Sequence, residues 1–366
     1  MTEAIPLTAL SAQRWAEVDL GAIRDNVREL RRRLPAGCRV IGVVKADGYG
    51  HGARPVAAAA LEAGAWGLGV STPEEALQLR DLCERDRLLV MGGLAPASCA
   101  EAAAVGCAVM CSSDAMVDVL EAATPPGERL AVHLKVDTGM GRLGCAPEEA
   151  PALARRIARS RRLRLAGTMT HFASSESDPE FTCRQFERFR AALDRFDVDP
   201  GIRHASNSGA VLRHPEMSLD AVRPGLAVYG FVGDGLLRPA LALRAMVTRV
   251  HDVAPGESVG YGRAWVAERR SRIATVAIGY EDGVMRARTN RGAVVVHGRR
   301  APLVGRVSMD AISVDVSEIP AVCPGDVVTL IGDGITADEV ADWSGTISHE
   351  ILTSLGNRVA RRYLGA

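Results

Sequence analysis

The sequence lacks the features that mark several large classes of protein. Its 366 residues carry 44 basic and 44 acidic side chains, so no net charge attracts nucleic acid or an anionic membrane. No apolar run approaches the ~18 residues that a membrane-spanning helix needs. The N-terminus has no basic segment followed by an apolar one, so we expect no signal peptide. We therefore expect a cytoplasmic protein that binds neither nucleic acid nor membrane.

The sequence also lacks the spacing of a metal site or a disulfide framework. None of the eight cysteines pairs as C-x-x-C, and several lie inside apolar runs, which is typical of reduced, buried thiols in a cytosolic protein. The eight histidines are scattered and have no paired spacing. We expect no metal site.

Between residues 37 and 230 the sequence repeats a short apolar run, a loop and a segment with helical periodicity. The runs are apolar on consecutive positions, which is typical of strands buried on both faces of a parallel sheet. A doubly wound sheet usually has fewer strands than the eight found here. We therefore predict an N-terminal (β/α)8 TIM-type barrel whose strands contain RVIGVVKA, AWGLGV, RLLVMGG, CAVMCSS, RLAVHLKV, LRLAGTMTHF, IRHASNS and AVRPGLAVYG.

After residue 240 the pattern changes to an alternation of apolar and polar residues. Segments such as ALRAMVTRVHDV and GDVVTLIG have a period of two, and turn signals such as TNRG separate the segments. This pattern predicts a mainly antiparallel β domain. We place the barrel at residues 15–240 and the β domain at residues 241–366, and we expect residues 1–14 to pack with the β domain.

Lys45 raises the first question about function, because it directly follows the apolar run RVIGVV. Lysine is one of the side chains least often buried without a partner. Either its ammonium group reaches solvent at the strand end, or the residue is placed there to react. In a TIM barrel the active site lies at the carboxyl ends of the strands, which is the position of Lys45.

Other polar, titratable or aromatic residues follow the predicted strands in the same way. Polarity could simply return near solvent at each strand end, but this explains any one such residue better than it explains the whole set. The set comprises Tyr49, Lys135, Asp137, Arg142, His171, Asn207, Ser208, Arg223, Gly225 and Tyr229.

The loops after the last two predicted strands suggest a phosphate site. TIM barrels often bind phosphate there, with backbone N–H groups and helix N-termini directed at the anion. The segments NSG (207–209) and RPGLAVYG (223–230) offer an amide, a hydroxyl and small residues. A lysine at one strand end and a phosphate site across the barrel mouth predict pyridoxal 5'-phosphate, held as a Schiff base on Lys45, with Asn207 and Ser208 among the cofactor-binding residues.

Eight motifs, in order and across both predicted domains, resemble those of the alanine racemase family. They are VVKADGYGHG, KVDTGMGRLG, THFASS, NSGAVLRHP, RPGLAVYG, VGYGRAW, IGYEDG and GRVSMDA, and the resemblance runs from about residue 15 to the end. The resemblance implies a pyridoxal-phosphate-binding barrel, a C-terminal β domain and a head-to-tail homodimer with shared active sites. It also implies interconversion of L- and D-alanine, which supplies D-alanine for peptidoglycan.

The resemblance implies two acid/base residues on opposite faces of the substrate. Lys45 would hold the cofactor aldehyde and serve one face, and Tyr261 would serve the other face from the partner subunit. Racemisation removes the Cα proton from one face and returns a proton to the other, which two groups achieve directly. Lysine acts as a base only when its pKa falls, and burial and nearby cations lower it.

The family motifs also assign cofactor-binding residues in the barrel. Arg142 would contact the phenolic oxygen of the cofactor and the carboxylate of the substrate. Arg223 would face the pyridine nitrogen, with His171 behind the ring. Because arginine stays charged, it leaves that nitrogen unprotonated, which weakens the ring as an electron sink and disfavours transamination. The phosphate would be held by Tyr49, Ser208, Gly225 and Leu226.

Substrate-binding residues are implied mainly in the C-terminal domain. Met309 and Asp310 would come from the partner subunit, with the backbone N–H of Met309 on the substrate carboxylate. Tyr280 would narrow the entrance, although a structural tyrosine of the β domain is an alternative. In the barrel, Lys135 matches a lysine that can be carbamylated and would then orient Arg142; an ordinary lysine paired with Asp137 is the alternative.

Asn357 departs from the family pattern, because some members have a tyrosine at that position. An asparagine is smaller and forms hydrogen bonds, so we expect some tolerance of serine as well as alanine. A serine or broad-specificity racemase of the same fold is thus an alternative function. A non-catalytic pyridoxal-phosphate-binding protein is a remote one, because such proteins lack the domain that carries Tyr261. A decarboxylase is disfavoured by Arg223.

Overall fold

The computed structural model describes residues 12–233 and 235–365, which form two units. The barrel unit comprises Gly21–Arg238. The sheet unit comprises the described residues up to Leu20 and those from Pro239 onwards. No helix in the described part of the chain is long and apolar enough to cross a membrane.

The first strand, β1 (Arg14–Asp19), belongs to the sheet unit and not to the barrel. It pairs antiparallel with β10 (Leu241–Val253) and parallel with β18 (Ala360–Leu364). The barrel unit therefore begins six residues later than the expected boundary at residue 15, because strand partners more than 220 residues away, such as Arg244 for Trp15, hold this segment in the other sheet. Of residues 1–14, which we expected to pack with the β domain, residues 1–11 lie outside the described residues.

Eight parallel strands form a closed barrel, which confirms the predicted fold class. The first and last of these strands pair to close the barrel, with Arg39 opposite Ala221. The strands are β2 (Arg39–Val43), β3 (Gly67–Val70), β4 (Leu88–Val90), β5 (Ala108–Cys111), β6 (Leu130–Lys135), β7 (Leu163–Met169), β8 (Ile202–His204) and β9 (Ala221–Val222).

The barrel strands alternate with helices that bury an apolar face. In the helix Ala150–Arg159, for example, Leu153 and Ile157 are buried while Arg155 and Arg156 form ion pairs on the outside. The Thr72 side chain accepts a hydrogen bond from the N–H of Glu75 and starts the helix Pro73–Leu79. The helices of this unit are α1 (Leu20–Arg33), α2 (Ala53–Glu62), α3 (Pro73–Leu79), α4 (Pro96–Val105), α5 (Asp114–Ala123), α6 (Ala150–Arg159), α7 (Pro179–Leu193) and α8 (Ser208–Arg213).

A buried cluster of small and flexible apolar side chains from adjacent strands forms part of the barrel core. Its members are Leu89, Ala108, Met110, Ala131, Ala166 and Met169. Packed side chains fill the interior of a TIM barrel, and all its parallel strands end at the same face. The polar residues that follow the strands therefore gather at the carboxyl end of the barrel.

Besides β1, β10 and β18, the sheet unit contains β13 (Ser271–Val276), β14 (Ala293–Val296), β15 (Arg299–Val304), β16 (Ile312–Asp315) and β17 (Val327–Ile331). These eight strands form one sheet in the order β13-β16-β15-β14-β17-β10-β1-β18, in which every neighbouring pair is antiparallel except β1 and β18, which are parallel. This confirms the predicted mainly antiparallel domain. A separate pair, β11 (Ser258–Val259) and β12 (Trp265–Val266), and two helices, α9 (Ala337–Ser344) and α10 (Ser348–Thr353), complete the unit.

Candidate active site

The carboxyl end of the barrel carries the site residues that the sequence predicts for this unit. Lys45 lies two residues after β2, Lys135 ends β6, and Arg223 directly follows β9. The others lie on loops and a helix start at the same end: Tyr49, Asp137, Arg142, His171, Asn207, Ser208, Gly225 and Leu226.

Lys45 begins a turn of left-handed backbone. Ala46, Asp47, Gly48 and Tyr49 have φ angles of 52°, 49°, 60° and 52°. For a residue with a side chain this conformation costs roughly 1–2 kcal/mol, so the surroundings must hold it. The carboxylate of Glu75 accepts from the N–H of Ala46 at 2.7 Å, and the carboxylate of Asp47 accepts from the N–H of Ala53 at 2.9 Å. Held strain of this kind is typical of functional sites.

The pKa of Lys45 lies below its ordinary value. Burial of the half-buried side chain is the main cause, the positive charge of Arg142 adds to it, and the negative charge of Glu75 opposes it. A lowered pKa increases the fraction of neutral amine, which is the form that acts as a nucleophile or a base.

Lys135 is only 3% exposed, and its pKa falls to about 8. Burial is the main cause, and Arg223 and Arg142 lower the pKa further. Among the described residues no ion pair joins Lys135 to Asp137. The carboxylate of Asp137 instead accepts from the backbone N–H groups of Gly139, Met140 and Gly141 at 2.9 Å and shapes the loop that carries Arg142. The structure does not show the paired lysine that was the alternative reading of Lys135.

Lys45 and Lys135 are the two lysines of the whole chain, and arginine supplies all the remaining basic side chains. Both lysines lie at the barrel mouth, close enough that Lys45 lowers the pKa of Lys135. The pKa of half-buried His171 lies well below its ordinary value. Burial is the main cause, and the positive charges of both lysines, Arg142 and Arg223 lower it further. This end of the barrel therefore holds four basic groups around a neutral imidazole, which suits an anionic ligand.

Arg223 is buried, with 3% exposure. Burial lowers its pKa to about 9. Its guanidinium donates to the carbonyl oxygens of Thr170 at 2.6 Å, His204 at 2.9 Å and Ala205 at 3.0 Å. It also contacts Nδ1 of His204 at 2.7 Å and Nδ1 of His171 at 3.4 Å. No ion pair to Arg223 occurs within residues 12–233 and 235–365.

His204 and its neighbour His133 were not predicted as site residues. They lie inside the apolar strands β8 and β6, and the histidine count alone gave no pairing. In the sequence, a histidine within an apolar barrel strand is the feature that would have identified both residues. His204 Nε2 lies 2.7 Å from Nδ1 of His133.

Tyr49, Ser208 and Gly225, which the sequence analysis predicts as phosphate-binding residues, lie next to one another. The hydroxyl oxygen of Ser208 accepts hydrogen bonds from the N–H groups of Gly225 at 2.9 Å and Ala227 at 3.1 Å. The hydroxyl can therefore donate its proton to an anionic oxygen. A Cβ atom at Gly225 would lie 2.4 Å from the hydroxyl oxygen of Tyr49. Glycine at 225 thus leaves room for the tyrosine hydroxyl, and these residues fit an anionic cofactor group.

Asn207 has a structural role that the sequence did not predict. Its side-chain oxygen accepts from the N–H of Ala210 at 3.1 Å and caps α8, and it accepts from the hydroxyl of Ser175 at 2.7 Å. These bonds fix the start of α8, where Ser208 lies.

The predicted site residues of the sheet unit lie on loops with exposed side chains. Tyr261 is 72% exposed, Met309 49% and Tyr280 41%. The Tyr280 loop and the Met309 loop are joined by backbone bonds, since the N–H of Tyr280 donates to Ser308 at 3.0 Å and that of Glu281 donates to Met309 at 3.2 Å. Gly262, next to Tyr261, lies against Arg306, which precedes the Met309 loop.

A buried carboxylate connects these loops with Asn357. Asp282 is fully buried, accepts from the N–H of Gly279 at 2.9 Å, and pairs with Nε of Arg358 at 3.1 Å. Arg358 also donates to Asp310 at 2.6 Å. Asn357 is exposed beside Arg358. One ion-pair chain thus brings Tyr280, Asp310 and Asn357 into the same part of the unit, although the sequence analysis singled out neither Asp282 nor Arg358.

Within the described ranges no group of three histidine, cysteine, aspartate or glutamate side chains is placed to hold a metal ion.

Comparison with known proteins shows what the chain resembles. Residues 18–232 match the family model for the alanine racemase N-terminal domain, and residues 240–363 match that for the alanine racemase C-terminal domain. An alanine racemase of Symbiobacterium thermophilum is 42% identical, covering 96% of this chain and 97% of that protein. One of Desulforamulus reducens is 39% identical, covering 96% and 99%.

Solved structures agree over nearly the whole chain. The crystal structure of alanine racemase from D-cycloserine-producing Streptomyces lavendulae has a TM-score of 0.90 and 38% identity and covers 98% of both chains. That of alanine racemase from Bartonella henselae, with covalently bound pyridoxal phosphate, has a TM-score of 0.88 and 30% identity and covers 97% of this chain and 100% of the other.

Proposed function

This chain belongs to the alanine racemase family and is an isomerase that interconverts L- and D-alanine with pyridoxal phosphate as its cofactor, and we propose that Lys45 and Tyr261 are its two acid/base residues. Pyridoxal phosphate, when bound, withdraws electrons from the substrate Cα and so makes its proton removable. Lys45 would hold the cofactor through Nζ and transfer the proton on one face. The phenol oxygen of Tyr261 would transfer the proton on the other.

The observation that carries this proposal is a half-buried lysine of lowered pKa at the mouth of a barrel, next to a cradle for an anion. Arg142 adds positive charge and is exposed on its loop, where it can bind a substrate carboxylate. Tyr49, Ser208 and the backbone at Gly225 and Leu226 would bind the phosphate group. Arg223 would donate a hydrogen bond to the pyridine nitrogen, and His171, kept neutral, would lie behind the ring.

We propose that Tyr261 acts on the cofactor of a second copy of the chain. Tyr261 is 72% exposed, and several large exposed side chains together mark an interaction surface where a single one does not. Met309 and Tyr280, which are also large and exposed, lie on loops in contact with each other. A twofold dimer presents such a surface to the second copy twice, once for each active site.

The activity is tested by polarimetry on the holoenzyme. Solutions of L-alanine and of D-alanine should both lose their optical rotation and reach the same racemic end point, while the bound cofactor contributes a visible absorbance band. A protein that carries the band and leaves both rotations unchanged would be a cofactor-binding protein without racemase activity.

Lys135 is proposed to be carbamylated. The neutral amine would form an N–C bond to CO2 and release one proton to solvent. With a pKa of about 8, the neutral amine is substantially populated near pH 8. The product is an anion among Arg142, Arg223 and Lys45, where the structure shows an excess of positive charge. The carbamate would orient the guanidinium of Arg142 toward the substrate.

The carbamate is expected to form at pH 8.5 and to be largely lost at pH 6. Because the pKa of Lys135 is lowered to about 8, its neutral amine is present above that pH and falls about tenfold for each unit below it. Carbon-13 NMR of enzyme equilibrated with 13C-bicarbonate should show a carbamate signal. The signal should be absent in Lys135→Met and present in Lys45→Ala; a signal that survives Lys135→Met contradicts the assignment.

Asn357 is proposed to widen the substrate range to serine. Asn357→Tyr should lower kcat/KM for L-serine relative to L-alanine about tenfold, since one small polar group in a pocket changes selectivity by about that factor. Asn357→Ala is the control, because it leaves the space open and removes the amide. If Asn357→Ala still turns over serine, the open space and not the amide explains the selectivity. Serine inert in the wild type, with an unchanged ratio in Asn357→Tyr, contradicts the proposal.

We further propose that the enzyme is cytoplasmic and supplies D-alanine for peptidoglycan. The support is the family to which the chain belongs.

A further inference from the structure

Two histidines occupy the interior of the barrel, where apolar side chains usually pack. His133 on β6 is 1% exposed, and His204 at the end of β8 is fully buried. The strand between them, β7, makes room for the rings: a Cβ atom at Gly167 would lie 2.6 Å from Nδ1 of His133. The register between β6 and β7 also shifts at His133.

The hydrogen bonds determine which ring nitrogens carry protons. Arg223 has only N–H donors, so Nδ1 of His204, at 2.7 Å, must accept. A neutral imidazole has one proton, which in His204 is therefore on Nε2 and is donated to Nδ1 of His133 at 2.7 Å. His133 in turn carries its proton on Nε2. Burial and the charge of Arg223 lower the pKa of both rings, to about 3 for His133, in agreement with neutral imidazoles.

The last member of this series of hydrogen bonds, His133, destabilises the fold. Nε2 of His133 is buried and has no hydrogen-bond partner among the described residues, and an unpaired buried donor destabilises a protein. An aliphatic side chain at 133 would avoid that cost. In return, His133 supplies a hydrogen-bond acceptor. This acceptor keeps the proton of His204 on Nε2, so that the lone pair on Nδ1 of His204 is directed at Arg223.

We infer that His133 is a positioning residue that acts through His204 to fix the guanidinium of Arg223. The inference rests on the proposed function, in which Arg223 faces the pyridine nitrogen of the cofactor. Arg223 has no ion-pair partner among the described residues. Besides backbone carbonyl oxygens, its guanidinium contacts the rings of His204 at 2.7 Å and His171 at 3.4 Å, so His204 makes the shorter side-chain contact. A fixed guanidinium would keep the pyridine nitrogen unprotonated and so favour racemisation over transamination.

The side reaction that reports on this arrangement is half-transamination. The amino group of alanine passes to the cofactor, water supplies the keto oxygen, and pyruvate is released together with pyridoxamine phosphate. A better electron sink favours this outcome. Pyruvate formed per molecule of alanine racemised therefore measures how well the pyridine nitrogen is kept unprotonated, independently of the overall rate.

The test compares His133→Leu with His133→Asn in the holoenzyme. The side-chain oxygen of asparagine replaces Nδ1 as acceptor, whereas leucine fills the space without one. We expect His133→Leu to increase pyruvate per racemisation about tenfold, the factor of one ordinary hydrogen bond, and to shift the pH dependence of the bound cofactor's absorbance without substrate. His133→Asn should stay within about twofold of the wild type, since its acceptor remains.

A structural role alone would lower thermal stability and cofactor affinity in both variants without changing the pyruvate ratio. Equal ratios in wild type and His133→Leu, or equal increases in both variants, overturn the inference. If His133→Leu does not fold, His133→Gln is used, because its amide reaches the position of Nε2 and leaves Nδ1 unreplaced; it should behave as leucine. Failure of the proposed function is a different result, in which the wild type itself does not racemise alanine.

Discussion

Replacing Lys45 with alanine is expected to remove the covalently bound cofactor and to slow racemisation by about four orders of magnitude, the upper range for loss of a positioned acid/base group. The variant loses both the amine that would hold the cofactor and the group that would move a proton on one face. Sodium borohydride fixes a cofactor to the amine that carries it, so mass spectrometry of the reduced wild type should find the cofactor on Lys45.

The scarcity of lysine makes this experiment unusually clear. Lys135 is the one other side-chain amine of the chain, and Lys135→Met is a matched control that removes it from the same end of the barrel. We expect Lys135→Met to keep the absorbance band and the borohydride adduct. An adduct on Lys135, or full turnover by Lys45→Ala, would show that the anchoring residue is wrongly assigned.

The sequence predicted the barrel well because its strands are buried on both faces. A strand such as β6 is buried at every position from Leu130 to Lys135, so its apolar run is visible locally. The strand β1 gave no such signal, since it is held by pairing with β10 and β18, whose residues are far away in sequence. The predicted barrel therefore began at residue 15, whereas the barrel unit begins at Gly21.

The site residues predicted in the barrel are those whose polarity contrasts with an adjacent strand, whereas those of the sheet unit, such as Tyr261 and Met309, were predicted from the resemblance to the family. Lys45 and Arg223 follow buried strands, and the contrast identified both. His133 lies within a strand, so its role depends on a contact with His204, 71 residues away, that no local pattern contains. The buried carboxylate of Asp282 likewise depends on a distant contact, with Arg358, 76 residues away. The occurrence of lysine at only two positions was a signal in the composition that identifies Lys45 and Lys135 as the candidates for a reactive amine.

Tyr261→Phe is expected to lower the racemisation rate about 10²- to 10⁴-fold, as for loss of one acid/base group, while the cofactor absorbance stays unchanged. The phenyl ring keeps the size of the side chain and removes the proton that the phenol would transfer. Because Lys45 remains, one enantiomer of Cα-deuterated alanine should still exchange its deuterium with solvent, and the other should not. Proton NMR of each enantiomer measures this; equal exchange from both contradicts an assignment of the two residues to opposite faces.

Mixing Lys45→Ala with Tyr261→Phe tests whether the residues come from different chains. In a mixed dimer with shared sites, one site receives both substitutions and the other receives neither. Random exchange makes half the dimers mixed, each with one of two sites intact, so the mixture should recover about a quarter of wild-type activity. If Lys45 and Tyr261 of one chain served the same site, every site would carry one substitution, and mixing would recover nothing.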